Sequence, residues 1–172
     1  RRADRDSKQF EAAPARKSPA KPNKTEHLVS PLAVPFPAMP EVLGVDVATG
    51  RAGLYAKKQR DDLLVMRFAE GTTCAGVFTQ HAITAAPVDW CKRHLEGAGG
   101  DNVRALVVNS GCANAFTGRP GADAARRVAA AAAKRLGCRQ REVMLASTGV
   151  IGVVLDDAKV VRRLAKVSED LS

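Results

Sequence analysis

Aromatic residues are scarce in this sequence, in which phenylalanine, tyrosine and tryptophan together make up 4% of 172 residues. Proteins that bind nucleic acid cluster their basic residues and often stack bases on aromatic side chains. The net charge of +9 is instead divided about equally between residues 1–27 and the remainder. We therefore expect a solvated surface of mixed charge and no nucleic-acid partner.

Long apolar runs are also missing. A helix that spans a membrane needs about 18 or more consecutive apolar residues. The longest candidate is the alanine-rich stretch 128–133, which ends at Lys134. We expect no membrane partner, because 45% hydrophobic and 26% charged residues are typical of a globular protein with a sizeable core.

The sequence has no cysteine pair at a metal-binding spacing. Its four cysteines lie far apart, and its three histidines form no H-E-x-x-H pattern. The cysteines are Cys74, Cys91, Cys112 and Cys138. We expect no metal, and we interpret all four cysteines as free thiols, buried like small hydrophobic residues, in a protein of the reducing cytoplasm.

Proline is unevenly distributed, and seven of the nine prolines lie in residues 1–40. Proline lacks the backbone N–H that helices and sheets require. We predict that residues 1–30 form a disordered, basic, proline-rich leader. Residues 31–172 are then one part of an α/β domain, beginning with an extended segment up to residue 40.

From residue 42 onward the sequence alternates between strand-like and helix-like patterns. Four short runs rich in β-formers predict consecutive, mostly antiparallel strands: VLGVDVATG, AGLYAK, DLLVMRFAEG and TCAGVFTQH. The run APVDWCKRHLEG predicts a helix with Pro87 in its first turn. VRALVVNSG follows as a strand that we expect to be buried on both faces, because four consecutive residues in it are apolar.

The last third of the chain predicts helix, strand and helix. GADAARRVAAAAAKRLG has an apolar stripe of helical period, Asp123 in its first turn and Gly137 after its end. EVMLASTG is a strand, and LDDAKVVRRLAKV is an amphipathic helix with four inward residues. These four are Leu155, Val160, Leu164 and Val167. The order predicts a layered α/β fold with a mixed sheet.

Two glycine-bounded loops follow predicted strands, at residues 109–118 and 147–152. The Thr148 hydroxyl and the Gly149 backbone N–H would form two donors aimed at one point, as in an oxyanion hole. Taken alone, such a pair at a strand end is more often only a turn. The second loop is not G-x-S-x-G, so Ser147 is not a nucleophile on an elbow. Cys112 has no nearby histidine in the sequence, which argues against a cysteine nucleophile.

Three motifs, in this order and spacing, resemble the amino-terminal part of the ornithine acetyltransferase family, the bifunctional glutamate N-acetyltransferases of arginine biosynthesis. They are TCAGVFTQHAITAAPV, RALVVNSGCANAFTG and LASTGVIGV. The resemblance extends from about residue 35 to residue 160 and does not include the leader. It implies a layered α/β sandwich akin to the N-terminal-nucleophile hydrolases, of which this chain holds an incomplete part.

The resemblance also implies an activity. Family precursors cleave themselves before a threonine, which accepts acetyl from N2-acetyl-L-ornithine and passes it to L-glutamate. That threonine and most substrate contacts belong to a carboxy-terminal β chain, and two α and two β chains form a heterotetramer. The motif of the nucleophile is absent from these residues, and the sequence ends before the expected cleavage point. We therefore expect this chain alone to be inactive. No cofactor is implied, and a role for acetyl-CoA as donor is left open.

Residue by residue, the resemblance assigns the oxyanion hole to Thr148 and Gly149. In the first loop, Cys112 and Phe116 occupy places where many relatives have asparagine and cysteine, and we expect that loop to support the site by packing. Two other interpretations remain open at this point. One is an aminopeptidase or amidase of a related self-processing group, and the other is a non-enzymatic basic binding module that uses residues 1–30.

Overall fold

The computed structural model describes residues 32, 34, 40–55, 59–96 and 98–172. The prediction of a disordered leader at residues 1–30 lies outside these described residues. The chain divides into two units, Arg1–Pro40 and Glu41–Ser172. All the strands and helices given below lie in the second unit.

Four strands form one mixed sheet in the order β1-β2-β3-β4. They are β1 (Val45–Gly50), β2 (Leu63–Phe68), β3 (Ala105–Cys112) and β4 (Val143–Val150). The first three strands pair antiparallel, and β3 and β4 pair parallel. Two parallel neighbours need a crossover connection, which the alanine-rich helix supplies here. The predicted α/β fold with a mixed sheet is confirmed.

Three α-helices accompany the sheet: α1 (Ala86–Leu95), α2 (Gly118–Leu136) and α3 (Asp157–Val167). Two short 3₁₀ segments, Ala98–Asn102 and Gln140–Glu142, complete the regular structure of the described residues. As predicted, Pro87 lies at the start of α1, and Gly137 follows the last residue of α2 as its left-handed C-cap. Asp123 does not lie in the first turn of α2, because the helix begins earlier, at Gly118.

The core lies between the helices and one face of the sheet, which we call the inner face. Alternate strand residues contribute to it, including Val65, Ala105 and Val107, each at most 2% exposed. Alanines of α2 pack against these strands, and their small side chains bring the helix close to the sheet. The four inward residues predicted for the last helical segment are all buried. Each valine or leucine buried in this way contributes about 1.5–3 kcal/mol to the free energy of unfolding.

The opposite, outer face of the sheet is only partly covered. Leu106 and Val108 on β3 are half-buried, and Val47 on β1 is 40% exposed. The prediction that β3 is buried on both faces is therefore wrong. A run of apolar residues predicts a strand with two apolar faces. It does not show whether both faces are covered, and among the described residues the outer face of β3 is covered only in part.

Two of the predicted strands do not form in the described residues. Residues 52–55 instead turn around the buried Asp62, whose carboxylate accepts the backbone N–H groups of Ala52 (2.5 Å), Gly53 (3.0 Å) and Leu54 (2.7 Å). Backbone donors that bind a carboxylate are not available to a strand ladder. Residues 73–81 also lack a strand partner, and Val77 is fully exposed.

His94 lies beside Trp90 on α1 and is a candidate for pH-dependent stability. The Trp90 indole donates to the Val143 carbonyl (2.8 Å), and the His94 ring lies 4.2 Å from Trp90 between centroids. Among the described residues, His94 Nε2 is buried and has no hydrogen-bond partner. Burial, and then the charges of Arg93 and Arg141, lower the pKa of His94 from its ordinary value of 6.5.

We expect the melting temperature to fall as the pH drops below about 6.5, because the unfolded chain then binds a proton that folded His94 resists. Above that pH both states hold a neutral imidazole, so His94 contributes no pH dependence. The pKa values of Glu142 and Asp156 are also lowered, so acid weakens the fold through them as well. The matched variant His94→Leu isolates the histidine. Its melting temperature, measured at pH 8, 6.5 and 5, should change less than that of the unchanged protein, and an equal change would contradict this assignment.

Candidate functional site

The two predicted loops lie side by side at one end of the parallel pair. In the register of β3 and β4, Ser110 pairs with Thr148 and Gly111 pairs with Gly149. Both strands therefore reach their carboxyl ends at the same edge of the sheet, where α/β folds place their ligands. The hydrogen-bond ladder continues into the loops, since the Ala113 N–H donates to the Val150 carbonyl (2.9 Å).

Gly149 and Gly111 bring the two backbones into unusually close contact. Both have positive φ angles, +131° for Gly149 and +111° for Gly111. A Cβ atom on Gly149 would clash with the Gly111 backbone and lie 2.6 Å from the Cys112 nitrogen. A Cβ on Gly111 would lie 3.2 Å from the Tyr55 ring. Only glycine fits this conformation without strain, which fixes the position of the Gly149 backbone.

Ser147 and Thr148 point to opposite faces of the sheet. The Ser147 hydroxyl donates to Asn109 Oδ1 (2.6 Å) on the inner face, and Asn109 Nδ2 donates to the Cys112 carbonyl (2.8 Å). Thr148 is exposed. No residue that the structure describes makes a hydrogen bond to its hydroxyl. Ser147 therefore holds the end of β3 in shape, whereas the Thr148 hydroxyl is available to a ligand.

The first loop is anchored by a buried asparagine. Asn114 is 1% exposed and has a φ of +47°. Its Nδ2 donates to the Gly121 carbonyl (2.9 Å), and its backbone carbonyl accepts the Ala86 N–H (3.1 Å). These two bonds tie the loop to the starts of α2 and α1. Because αL backbone is costly for a side chain other than glycine, these bonds are needed to hold the loop in this conformation.

The predicted supporting role of the first loop is divided between its residues. Cys112 is buried, and its Sγ donates to the Val153 carbonyl (3.1 Å), which ties the first loop to the residue that follows the second loop. Phe116 is instead 67% exposed with a φ of +60°. Four exposed apolar residues follow Gly149 at the same end of the sheet, where the Gly152 N–H donates to the Ala115 carbonyl (2.9 Å), and we call them together with Phe116 the apolar rim. The rim consists of Phe116, Val150, Ile151, Val153 and Val154.

The prediction that every cysteine is buried holds only in part. Cys112 is buried, Cys91 and Cys138 are half-buried, and Cys74 is exposed. None forms a disulfide. Burial, as the largest cause, raises the pKa of the Cys91 and Cys138 thiols, so both are protonated near neutral pH. These two cysteines thus lack the thiolate that a nucleophile requires.

Three residues that the sequence analysis did not single out form a cluster beside Thr148. The Tyr55 hydroxyl lies 2.9 Å from Ser110 Oγ, and Arg60 Nη2 donates to the same oxygen (3.2 Å). The Arg60 guanidinium carbon lies 4.6 Å from the centre of the Tyr55 ring. The sequence predicts a strand at AGLYAK. Nothing in that local pattern indicates the cluster, because Arg60 and Ser110 are 50 residues apart in the sequence.

A shallow cleft of about 130 Å³ adjoins this cluster at the end of the sheet, with Asp61, Val108 and Ser110 among its lining residues. Within the described parts of the chain, no group of histidine, cysteine and carboxylate side chains could hold a metal ion. No helix in those parts is long and apolar enough to cross a membrane.

Comparison with known proteins agrees with the resemblance seen in the motifs. The sequence profile of the ArgJ family matches residues 46–172. The chain is 65% identical over 138 residues to the arginine biosynthesis bifunctional protein ArgJ of Caulobacter vibrioides, covering 80% of this chain and 34% of that protein. The protein of the same name from Bradyrhizobium diazoefficiens is 48% identical over 145 residues, covering 82% and 34%.

Solved structures give the same result for the fold. Ornithine acetyltransferase from Mycobacterium tuberculosis, complexed with ornithine, superposes with a TM-score of 0.70 at 32% identity, covering 76% of this chain and 68% of that chain. ArgJ from Bacillus halodurans gives a TM-score of 0.66 at 29% identity, covering 72% and 63%. The chain spans about a third of the length of the curated relatives it matches. Because the family profile matches most of its residues and its relatives share both sequence and fold, the chain belongs to the ArgJ family.

Proposed function

We propose that this chain is the amino-terminal part of an acyltransferase of arginine biosynthesis, which moves acetyl from N2-acetyl-L-ornithine to L-glutamate through an acetyl-threonine. Thr148 and Gly149 form its oxyanion hole. The observation that carries this proposal is the exposed Thr148 hydroxyl, which has no partner among the described residues, beside a Gly149 backbone held against Gly111.

The chemistry follows from where charge develops. The threonine Oγ of the other part attacks the acetyl carbonyl carbon, and its proton goes to the α-amino group freed by cleavage. The carbonyl oxygen becomes an oxyanion, to which the Thr148 hydroxyl and the Gly149 N–H donate. Collapse breaks the C–N bond, and ornithine leaves after taking up the proton. Glutamate then reverses these steps. Fixed donors lower the barrier because they need no reorganisation as the charge forms.

The nucleophile belongs, in this proposal, to a carboxy-terminal chain made by cleavage of one precursor. This chain covers about a third of the length of the curated relatives but 63–68% of the length of the solved chains. The solved chains are therefore about half as long as the curated relatives. Such lengths are expected if family members are cut into two chains. The partly covered outer face and the apolar rim fit a partner that covers them. A heterotetramer of two chains of each kind completes the proposal.

Cofactor, acetyl donor and location also belong to the proposal. It requires no cofactor, and acetyl-CoA would act only as an additional acetyl donor. A cytoplasmic location belongs to the same proposal, because all four cysteines are free thiols, as is usual in a reducing compartment.

Complementation tests the proposed function. We expect the purified 172-residue chain to show no turnover between N2-acetyl-L-ornithine and L-glutamate, because its nucleophile lies elsewhere. Co-expression with the carboxy-terminal part of the full-length protein should restore turnover. Turnover by the chain alone would place the nucleophile within these residues. An inactive but correctly assembled complex, tested with both substrates, would refute the acetyltransferase assignment.

A further inference from the structure

An arginine next to the candidate oxyanion hole forms no ion pair with any carboxylate of the described residues. Five other arginines of the described part of the chain form ion pairs with carboxylates: Arg67, Arg104, Arg126, Arg127 and Arg139. Arg60 is exposed, and its contacts there are with Ser110 Oγ and the Tyr55 ring. A guanidinium has five N–H donors. Most donors of Arg60 are therefore free to bind an anion.

The same contacts hold this arginine in place. The Tyr55 ring lies against its guanidinium, and the Tyr55 hydroxyl fixes Ser110 Oγ, which accepts from Arg60. Stacking and hydrogen bonding lower the conformational entropy that a long side chain loses when it binds a ligand. An exposed arginine held in this way is better prepared for an anion than a freely moving one.

The position of Arg60 relative to Thr148 is fixed by the sheet. Ser147 and Asn109 meet on the inner face, so the paired residues Ser110 and Thr148 both face outward. Neighbouring strands lie about 4.8 Å apart. Ser110 therefore lies one strand away from the proposed oxyanion donor, and the Arg60 guanidinium contacts Ser110 Oγ (3.2 Å) from the side of β2.

We propose that Arg60 binds the α-carboxylate of the amino-acid substrate, an inference that rests on the proposed function. N2-acetyl-L-ornithine and N-acetylglutamate share an acetyl group on the α-nitrogen and a carboxylate on the neighbouring carbon. Three covalent bonds join the acetyl carbon to the carboxylate carbon, a span of at most about 4 Å. A substrate of this size, with hydrogen bonds of about 3 Å at each end, can reach across the strand spacing from Thr148 to an arginine that contacts Ser110. One arginine can thus orient both acetyl donor and acetyl product, since a guanidinium binds a carboxylate through two parallel hydrogen bonds.

The test compares substrates with and without the charge in the assembled full-length enzyme. Arg60→Met should raise the KM for N2-acetyl-L-ornithine and for L-glutamate by about 10- to 100-fold, the usual loss for a charge-assisted hydrogen bond, with a smaller change in kcat. With the α-carboxamide of N2-acetyl-L-ornithine, kcat/KM should be the same in Arg60→Met and the unchanged enzyme. Arg60→Lys should recover part of the loss. Arg162→Met, an exposed charge removal on α3, should leave all of these constants unchanged.

Three outcomes would overturn the proposal. Equal losses with the carboxylate and carboxamide substrates would show that Arg60 does not recognise the carboxylate. Unchanged KM values would show that it binds neither substrate. Dissociation of the complex in Arg60→Met would show that the arginine pairs with the remaining polypeptide. If the unchanged enzyme does not turn over N2-acetyl-L-ornithine, the proposed function fails. Calorimetric titration with L-ornithine and L-ornithinamide then still decides whether Arg60 binds the carboxylate.

Discussion

Thr148→Ala in the assembled full-length enzyme should lower kcat by about 10²- to 10³-fold, the usual loss when one oxyanion donor is removed. The effect should fall on kcat more than on KM, because the hydroxyl binds most strongly when the carbonyl oxygen carries charge. The melting temperature should stay nearly unchanged, since the side chain is exposed and its hydroxyl has no partner within the described residues. Steady-state kinetics, corrected for the folded fraction, measure the effect.

Two variants control for this result. Thr148→Ser keeps the hydroxyl and should retain much more activity than Thr148→Ala. Ser147→Ala removes a hydroxyl one residue earlier, but this hydroxyl donates to the buried Asn109. Its loss should cost about 1–3 kcal/mol of stability, because a buried acceptor loses its partner, with kcat per folded molecule largely preserved. A nearly normal kcat in Thr148→Ala would refute the oxyanion assignment and leave Thr148 as a residue of the turn.

Gly149→Ala should damage the fold at the site itself. A Cβ there would overlap the Gly111 backbone, and the backbone conformation at φ +131° disfavours any side chain. Strain and overpacking of this kind cost about 1–3 kcal/mol each, so we expect a combined loss of about 2–6 kcal/mol in the free energy of unfolding. Acetyl transfer should also fall, because β3 and β4 must separate at the donor. Denaturant unfolding and kinetics measure the two effects.

Gly152→Ala is the matched control in the same loop. Gly152 also has a positive φ, +82°, but nothing lies within 4 Å of a Cβ added there. This variant should cost only the conformational strain of about 1–2 kcal/mol. The difference in unfolding free energy between Gly149→Ala and Gly152→Ala therefore measures the cost of placing a Cβ where β3 and β4 approach each other. Equal losses would mean that the ends of β3 and β4 separate easily and that the contact between Gly149 and Gly111 does not fix the donor.

The sequence alone predicted the elements with the strongest local signals. The alanine stripe and Gly137 predicted α2. Leu155, just before α3, and three apolar residues within it predicted the buried side of the last helical segment. Both are decided by side-chain periodicity and by the backbone freedom of glycine, which are properties of neighbouring residues. The order of elements then predicted a mixed sheet, and three motifs in register indicated the family. Thr148 and Gly149 were selected from their motif, and their role stays a prediction.

Contacts between residues distant in the sequence decided the rest. Local pattern predicted a strand at residues 52–57, but the carboxylate of Asp62 binds the backbone N–H groups that a strand would need. Nothing in the motif itself assigns Ser147 to the inner face and Thr148 to the outer face, because that assignment depends on register against β3. The contact of Gly149 with Gly111, and the approach of Arg60 to Ser110, likewise exist only after the chain has folded. The sequence determined which residue types stand at the strand ends, and the tertiary structure decided which of them face a ligand, because pairing register, not local propensity, sets the direction of each side chain.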